Sequence, residues 1–257
     1  MSTLLAASVA TLVFCAPGYP GGAGDAQPLV DQFVKNAASQ SGWPDGSLAA
    51  VYDPTEQGGL AKLQQADAAL AFVPYPFFVE HGVQLHLTPL VQADMADLGT
   101  QQRWTLVAKS GRVNAPAAMA GFTLLSVAGY APDFVRHSAL EGWALPPDVK
   151  IETTGQILSA LRRVAAGEST AVLLDQTQAT ALGNLPFAAD LKAVTQSAEL
   201  PIALIAVVGA HLAPDRAKAL QGGLLKMGRS AGSGDSLAPL LLRGFVLPKL
   251  PARAPAP

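Results

Sequence analysis

The sequence predicts an α/β protein of two lobes, each a mostly parallel sheet flanked by helices. Apolar runs of strand length alternate with helical stretches along nearly the whole chain. One local pattern occurs twice. Thr11–Cys15 breaks into Ala16-Pro17-Gly18-Tyr19-Pro20-Gly21-Gly22 and a helical stretch, and Phe122–Val127 breaks into Ala128-Gly129-Tyr130-Ala131-Pro132 and another. A chain of 257 residues also exceeds the usual single core, so two lobes of ~100 to 130 residues are the natural division. A loop at the carboxyl end of a parallel strand, feeding a helix whose first N–H groups lack intrahelical partners, is where open α/β sheets bind small ligands. Two such loops imply two lobes facing one ligand.

After the first loop, Leu29, Val30, Phe33, Val34 and Ala37 recur at helical spacing over Gln27–Ala38, with Asp25 as candidate N-cap and Gly42-Trp43-Pro44-Asp45-Gly46 as the stop. Leu48–Tyr52 reads as the second strand, ending at the turn-forming Asp53-Pro54, and a short helix over Gly59–Leu63 follows. Asp67–Val73 is a near-continuous apolar run of the buried parallel type, halted by Pro74-Tyr75-Pro76 before a helix from Phe77. Leu85–Val91 and Arg103–Ala108 are strands, with a polar loop or single helical turn over Ala93–Gln102 between them. The second lobe begins near Trp104. It continues through strands at Phe122–Val127, Val149–Thr153 and Ala171–Thr177, and helices at Asp133–Leu140, Gly155–Ala165 and up to Leu182. Ile202–Val208 is a strongly apolar strand and Asp215–Met227 a helix, followed by a mobile turn over Gly228–Ser236. Residues 251–257 belong to a proline-rich tail.

Half of the residues are hydrophobic and only 14% charged, which supports a buried core and argues against disorder. The net charge of −2, with no Lys/Arg run longer than Arg162-Arg163, leaves no electrostatic footprint for nucleic acid or an anionic membrane. A single cysteine, Cys15, excludes an intrachain disulfide. Residues 1–10 are uncharged and end Ser8-Val9-Ala10, which reads either as the tail of a truncated secretion signal or as an extension of the first strand.

Leu12-Val13-Phe14, the Gly18-Tyr19-Pro20 loop, Asp67–Tyr75, the extended Arg103–Lys109, the Gly121–Pro132 unit and Ile202–Gly209 together resemble the type 2 periplasmic solute-binding proteins. Within that family the chain most resembles the phosphonate/phosphate-binding branch of ABC-transporter receptors. The resemblance implies two hinge strands, here Trp104–Lys109 and Pro201–Gly209. It also implies a discontinuous first lobe, 11–103 plus 205–250, around a second at 104–204. The implied function is an exported, periplasmic and monomeric receptor, not an enzyme and without a cofactor. It traps a small polar or anionic ligand, a phosphonate- or phosphate-like oxyanion foremost, for an ABC permease or a sensor protein. That branch often carries a Ser/Thr-rich oxyanion run after the first strand of the second lobe, where this chain has Ala128-Gly129-Tyr130-Ala131.

The candidate ligand-binding residues are Gly18, Tyr19, Tyr75, Tyr130, Asp175 and Gln176. Each tyrosine follows a strand end, where a phenol both stacks on a ligand and donates a hydrogen bond, or else covers the sheet edge. Asp175 closes an apolar strand, from which its carboxylate meets a ligand amine or hydroxyl or caps the helix starting near Thr177. Enzymatic motifs are weak. Gly228-Arg229-Ser230-Ala231-Gly232 spells a nucleophile elbow but follows a helix rather than a strand, and Gly22-Ala23-Gly24-Asp25-Ala26-Gln27 lacks the third glycine of a dinucleotide fingerprint. No histidine pair has metal-ligand spacing. A small-molecule lyase on the same two-lobed fold is the alternative, since fold alone does not separate receptor from enzyme.

Overall fold

The computed structural model describes residues 9–18, 22–228 and 234–252. Tyr19, the Ser8 side of the possible processing site, Arg229–Ser233 of the elbow-like motif and the end of the tail lie outside them.

The chain opens with β1 (Ala10–Cys15), buried at every position. Its side chains alternate between two cores, as a period of two requires: Leu12 and Phe14 enter one, Val13 and Cys15 the other. That is why the run is apolar throughout instead of alternating. Next comes α1 (Ala23–Gln40), whose N-cap is Gly22. Asp25, the expected cap, instead sits in the first turn, where its carboxylate still meets the positive end of the helix dipole. The chain continues through β2 (Leu48–Asp53), α2 (Glu56–Leu63), β3 (Ala68–Pro74), α3 (Tyr75–His81) and β4 (Leu87–Met95). Thr55 caps α2 by accepting from Gly58 N at 3.1 Å. Gly59 of α2 lies so close to Cys15 that a Cβ there would overlap the thiol, which brings α2 flat onto β1.

Two residues, β5 (Gln101–Gln102), lead into β6 (Thr105–Lys109), β7 (Thr123–Ser126), α4 (Pro132–Phe134, continued by a π-helical turn over Val135–Ala139), β8 (Lys150–Thr153), α5 (Ile157–Ala166), β9 (Thr170–Leu174), α6 (Gln176–Ala181) and β10 (Leu191–Gln196). The return runs through β11 (Leu200–Pro201), β12 (Ala203–Val208), α7 (Pro214–Lys226), α8 (Gly234–Leu237) and β13 (Leu242–Val246). β10 escapes the sequence reading because Leu-Lys-Ala-Val-Thr-Gln is largely polar; it is an edge strand, paired only to β6, and needs no apolar face on its open side.

Six strands form one sheet in the order β13-β4-β12-β3-β1-β2, and five form a second in the order β10-β6-β9-β7-β8. The pairings are mixed. β1 is parallel to β2 and β3, and β7 to β8 and β9, whereas β12, β13 and β6 pair antiparallel with their neighbours. The reason lies in the crossings. β6 and β12 each enter a sheet directly from the connection between sheets, so they run away from the edge at which β1–β3 and β7–β9 end. The crossing itself is shorter than the sequence suggests: β5 pairs antiparallel with β11 through Gln102 to Leu200 and Gln101 to Pro201, while Thr105–Lys109 and Ala203–Val208 are full members of the two sheets.

Beside that crossing the apolar core is continuous between the sheets. Tyr75 stacks on Phe78 and meets Phe134 edge-on at 6.1 Å, and Phe134 meets Trp104 at 5.2 Å. Glu80 accepts from Asp133 N at 2.9 Å at the margin of this seam. Phe134 is fully buried within it, so Phe134→Ala is expected to lower unfolding free energy by about 3–5 kcal/mol, read from urea denaturation. A loss under ~1 kcal/mol would mean the seam contributes little to stability.

Candidate functional site

A cavity of about 520 Å³ opens where the two sheets face each other. Its walls come from strand ends. β1 supplies Phe14, Cys15 and the following Ala16 and Gly18; β2 supplies Tyr52; β3 supplies Phe72 to Pro74; β4 supplies Met95 and the following Leu98. The opposite wall holds Val127 after β7, Gly155 after β8, and Asp175, Thr177 and Gln178 after β9. Gln102 and Ile202 line it from the crossing, and Leu240–Leu242 close the side next to β13. Carboxyl ends of parallel strands from two sheets thus converge on one space, the place where open α/β sheets hold ligands.

An aromatic row forms its floor. Phe14 is in register with Tyr52 on one side and Phe72 on the other, and the Phe14 and Phe72 rings lie 4.9 Å apart. Behind the row, Phe33 of α1 contacts Phe14 edge-on at 5.5 Å and fixes it from below. Cys15 donates to Thr55 O at 3.5 Å. Burial pushes its thiol up to about 12, and the Asp53 and Glu56 carboxylates add to that, so the sulfur is a neutral, unreactive part of the wall. Asp53 holds the base of this corner. Burial works against its charged form, but hydrogen bonds from Lys62 and Thr55 outweigh that and bring the carboxyl below its ordinary value.

Gly18 is at φ +84°, and a Cβ built there would overlap the Val127 carbonyl of the other lobe. Only glycine allows this approach, so the loop after β1 touches the loop after β7 across the cavity. Asp175 does two things at once. It caps α6 in a reciprocal box, accepting from Gln178 N at 2.8 Å while its own N–H donates to the Gln178 side chain at 3.2 Å, and it lines the cavity. It is only 5% exposed. Burial raises its carboxyl, against the opposing effect of the Gln178 and Thr177 N–H groups.

The other candidates lie elsewhere. Tyr75 is 1% exposed and does not line the cavity. Pro74 is the N-cap of α3, so no loop intervenes, and Tyr75 enters the helix directly with its ring turned into the seam against Phe78 and Phe134. Tyr130 packs on the core cluster behind its loop. That loop is held by Ser126 Oγ accepting from Ala128 N at 3.1 Å, and a Cβ on Gly129 would overlap the Glu152 carbonyl. Gln176 turns its side-chain oxygen to Arg103 N at 3.2 Å and thereby ties α6 to the crossing. Sequence reasoning missed the aromatic row and Leu240–Leu242. The legible signal was Phe14, Tyr52 and Phe72, each one or two residues from its strand's end.

Among the described residues, no three His, Cys, Asp or Glu side chains group as metal ligands, and no helix is long and apolar enough to cross a membrane.

Neither a protein-family model nor a curated protein sequence matches the chain. Solved structures do. XAC2383 from Xanthomonas citri, bound to ATP, superposes with a TM-score of 0.68 at 16% identity over 95% of this chain and 92% of that one. The binding-protein component of an ABC phosphonate transporter from Pseudomonas aeruginosa gives 0.58 at 16% identity over 93% and 81%. PhnD1 from Prochlorococcus marinus, in complex with methylphosphonate, gives 0.56 at 14% identity over 93% of each. The fold is that of the type 2 periplasmic solute-binding proteins. In this fold the cavity sits between the lobes, and Asp175 belongs to the second.

Because the Asp175 carboxyl is raised in the folded state, the folded chain holds its proton more tightly than the unfolded chain. Its effect on stability is therefore most favourable below the ordinary carboxylate pKa, and is lost as pH rises from there through the raised value. Asn caps a helix as well as Asp does. Asp175→Asn is expected to fold, to lose that pH dependence, and to match or exceed wild-type stability at pH 7, as read from urea midpoints between pH 4 and 7. A variant less stable at pH 7 than at pH 4, relative to wild type, would contradict the buried-carboxylate assignment.

Proposed function

We propose that this chain is an exported solute-binding protein that traps one small molecule between its two lobes for a membrane partner, an ABC-type permease or a sensor. The observation that carries this reading is the cavity itself: it is walled by strand ends of both sheets, lies beside the paired crossing, and is spanned by the Gly18–Val127 approach. A site built from two lobes is completed only when they meet, which couples occupancy to shape. The lobes that move are 11–103 with 205–250 and 104–204, and a partner reads the closed form. Receptor function is favoured over a lyase on the same fold because the described cavity walls hold no histidine, lysine or second carboxylate to serve beside Asp175 as an acid/base pair.

The similar structures were solved with chemically different molecules, ATP in one and methylphosphonate in another, so the fold leaves the ligand to the lining.

Thermal-shift screening of phosphate, methylphosphonate, arginine, ATP and small organic amines tests this. A solute at 100 times its dissociation constant adds about 2.7 kcal/mol, roughly 5–10 °C for a chain of this size. Gly18→Val, which would place a side chain against the Val127 carbonyl, is expected to abolish the shift while leaving the far-ultraviolet spectrum unchanged. A full-size shift in the variant would show that the lobes need not meet.

A further inference from the structure

The lining also bears on what the cavity takes, and this rests on the solute-binding reading above. One wall is the aromatic row of Tyr52, Phe14 and Phe72, extended by Met95 and Leu242. At the edge of the cavity stands Leu241, 61% exposed and at φ +56°, a left-handed conformation that a bulky side chain rarely adopts. Its carbonyl accepts from Ala96 N at 2.8 Å, so the strained turn is tied to the loop after β4 and holds an apolar side chain where water would otherwise favour a polar one.

The charge of the site points the same way. Among the described residues, Asp175 is the only charged side chain lining it, and no Lys or Arg does. Behind Cys15 stand Asp53, paired with Lys62, and Glu56, paired with His81. A free phosphonate or phosphate would meet Asp175 in a mostly apolar chamber, with no Lys or Arg among the described lining residues to neutralise it. The second lobe's Ala128-Gly129-Tyr130-Ala131 loop adds no hydroxyl-rich cradle in compensation: Ser126 beside it spends its hydroxyl on Leu173 O and Ala128 N.

Asp175 supplies what an oxyanion cannot use. Its carboxylate accepts within the α6 cap, yet a carboxylate has about four acceptor sites, and capping leaves some of them for a donor in the cavity. We propose that the cavity takes a small organic amine with an aromatic or aliphatic body, the body lying on the Tyr52–Phe14–Phe72 row and the ammonium donating to Asp175. The aromatic faces also favour a cation near them. A volume of about 520 Å³ suits such a molecule and far exceeds what methylphosphonate fills.

Calorimetric titration with phenethylamine, tryptamine, 2-phenylethanol, 3-phenylpropionate and methylphosphonate tests this on wild type, Asp175→Asn and Phe72→Ala. The amines are expected to bind wild type, 2-phenylethanol more weakly, and the two anions not at all. Asp175→Asn should weaken the amines at least tenfold and change 2-phenylethanol less than twofold, whereas Phe72→Ala should weaken amine and alcohol alike. Unchanged amine affinity in Asp175→Asn would overturn the ammonium assignment. Binding of methylphosphonate without the amines would overturn the ligand class and leave the solute-binding reading standing. If no probe bound but another solute in the thermal-shift screen did, the ligand class would again fall alone; a screen with no stabilising solute would remove both readings.

Discussion

Two peptide crossings, Gln101–Gln102 and Leu200–Pro201, hydrogen-bond to each other, and beside them Tyr75, Phe134 and Trp104 carry one apolar core from the first sheet into the second. Every other inter-lobe feature is placed by that seam. Trp104 is only 1% exposed and is fastened on its backbone side, with its N–H donating to Ser197 Oγ and its carbonyl accepting from Ser197 N. An extensive hydrophobic contact between lobes limits their relative motion. Separation at the seam would expose Tyr75 and Phe134 to water.

The strand directions follow from the same constraint. A chain that crosses between sheets must enter each one at the edge facing the other, and β6 and β12 therefore run opposite to the strands they join. The reversal leaves the ends of β1–β3 and β7–β9 together, and the cavity is the space between those ends. Its chemistry is then decided by the last residues of each strand. In the first lobe aromatic residues stand one or two positions before the strand ends, with Phe33 of α1 packed on Phe14 and Phe72; in the second, Asp175 caps α6.

The strands were legible in the sequence because burial on both faces leaves an unmistakable apolar run, as in β1, β3 and β12. The helix α1 was legible from its periodicity, although its start lay four residues earlier than the pattern indicated, in a segment where packing rather than propensity sets the boundary. β10 was not legible, since a solvated edge strand carries no apolar signature. Asp175 and Gly18, picked by position after a strand and before a helix, both line the cavity. Tyr75 stands off the larger cavity for a physical reason: a proline at the first turn of a helix is favourable, so α3 begins directly at Tyr75 after Pro74. The aromatic row was missed because its members are far apart in sequence and become a surface only through the register of three strands.

Pulsed electron-resonance distances between spin labels on the two lobes test the central claim, that occupancy of the cavity brings them together about the seam. Cys15 is buried with a strongly raised pKa, so cysteines introduced at exposed sites are labelled selectively. One pair, at Asp97 and Gln156, adjoins the cavity-lining Leu98 and Gly155; a second, at Val83 and His137, flanks the seam near Glu80 and Asp133. Adding a solute that stabilises the protein is expected to shorten and narrow the first distribution and leave the second unchanged. Identical distributions with and without solute at the first pair, or equal changes at both, would contradict closure about the seam.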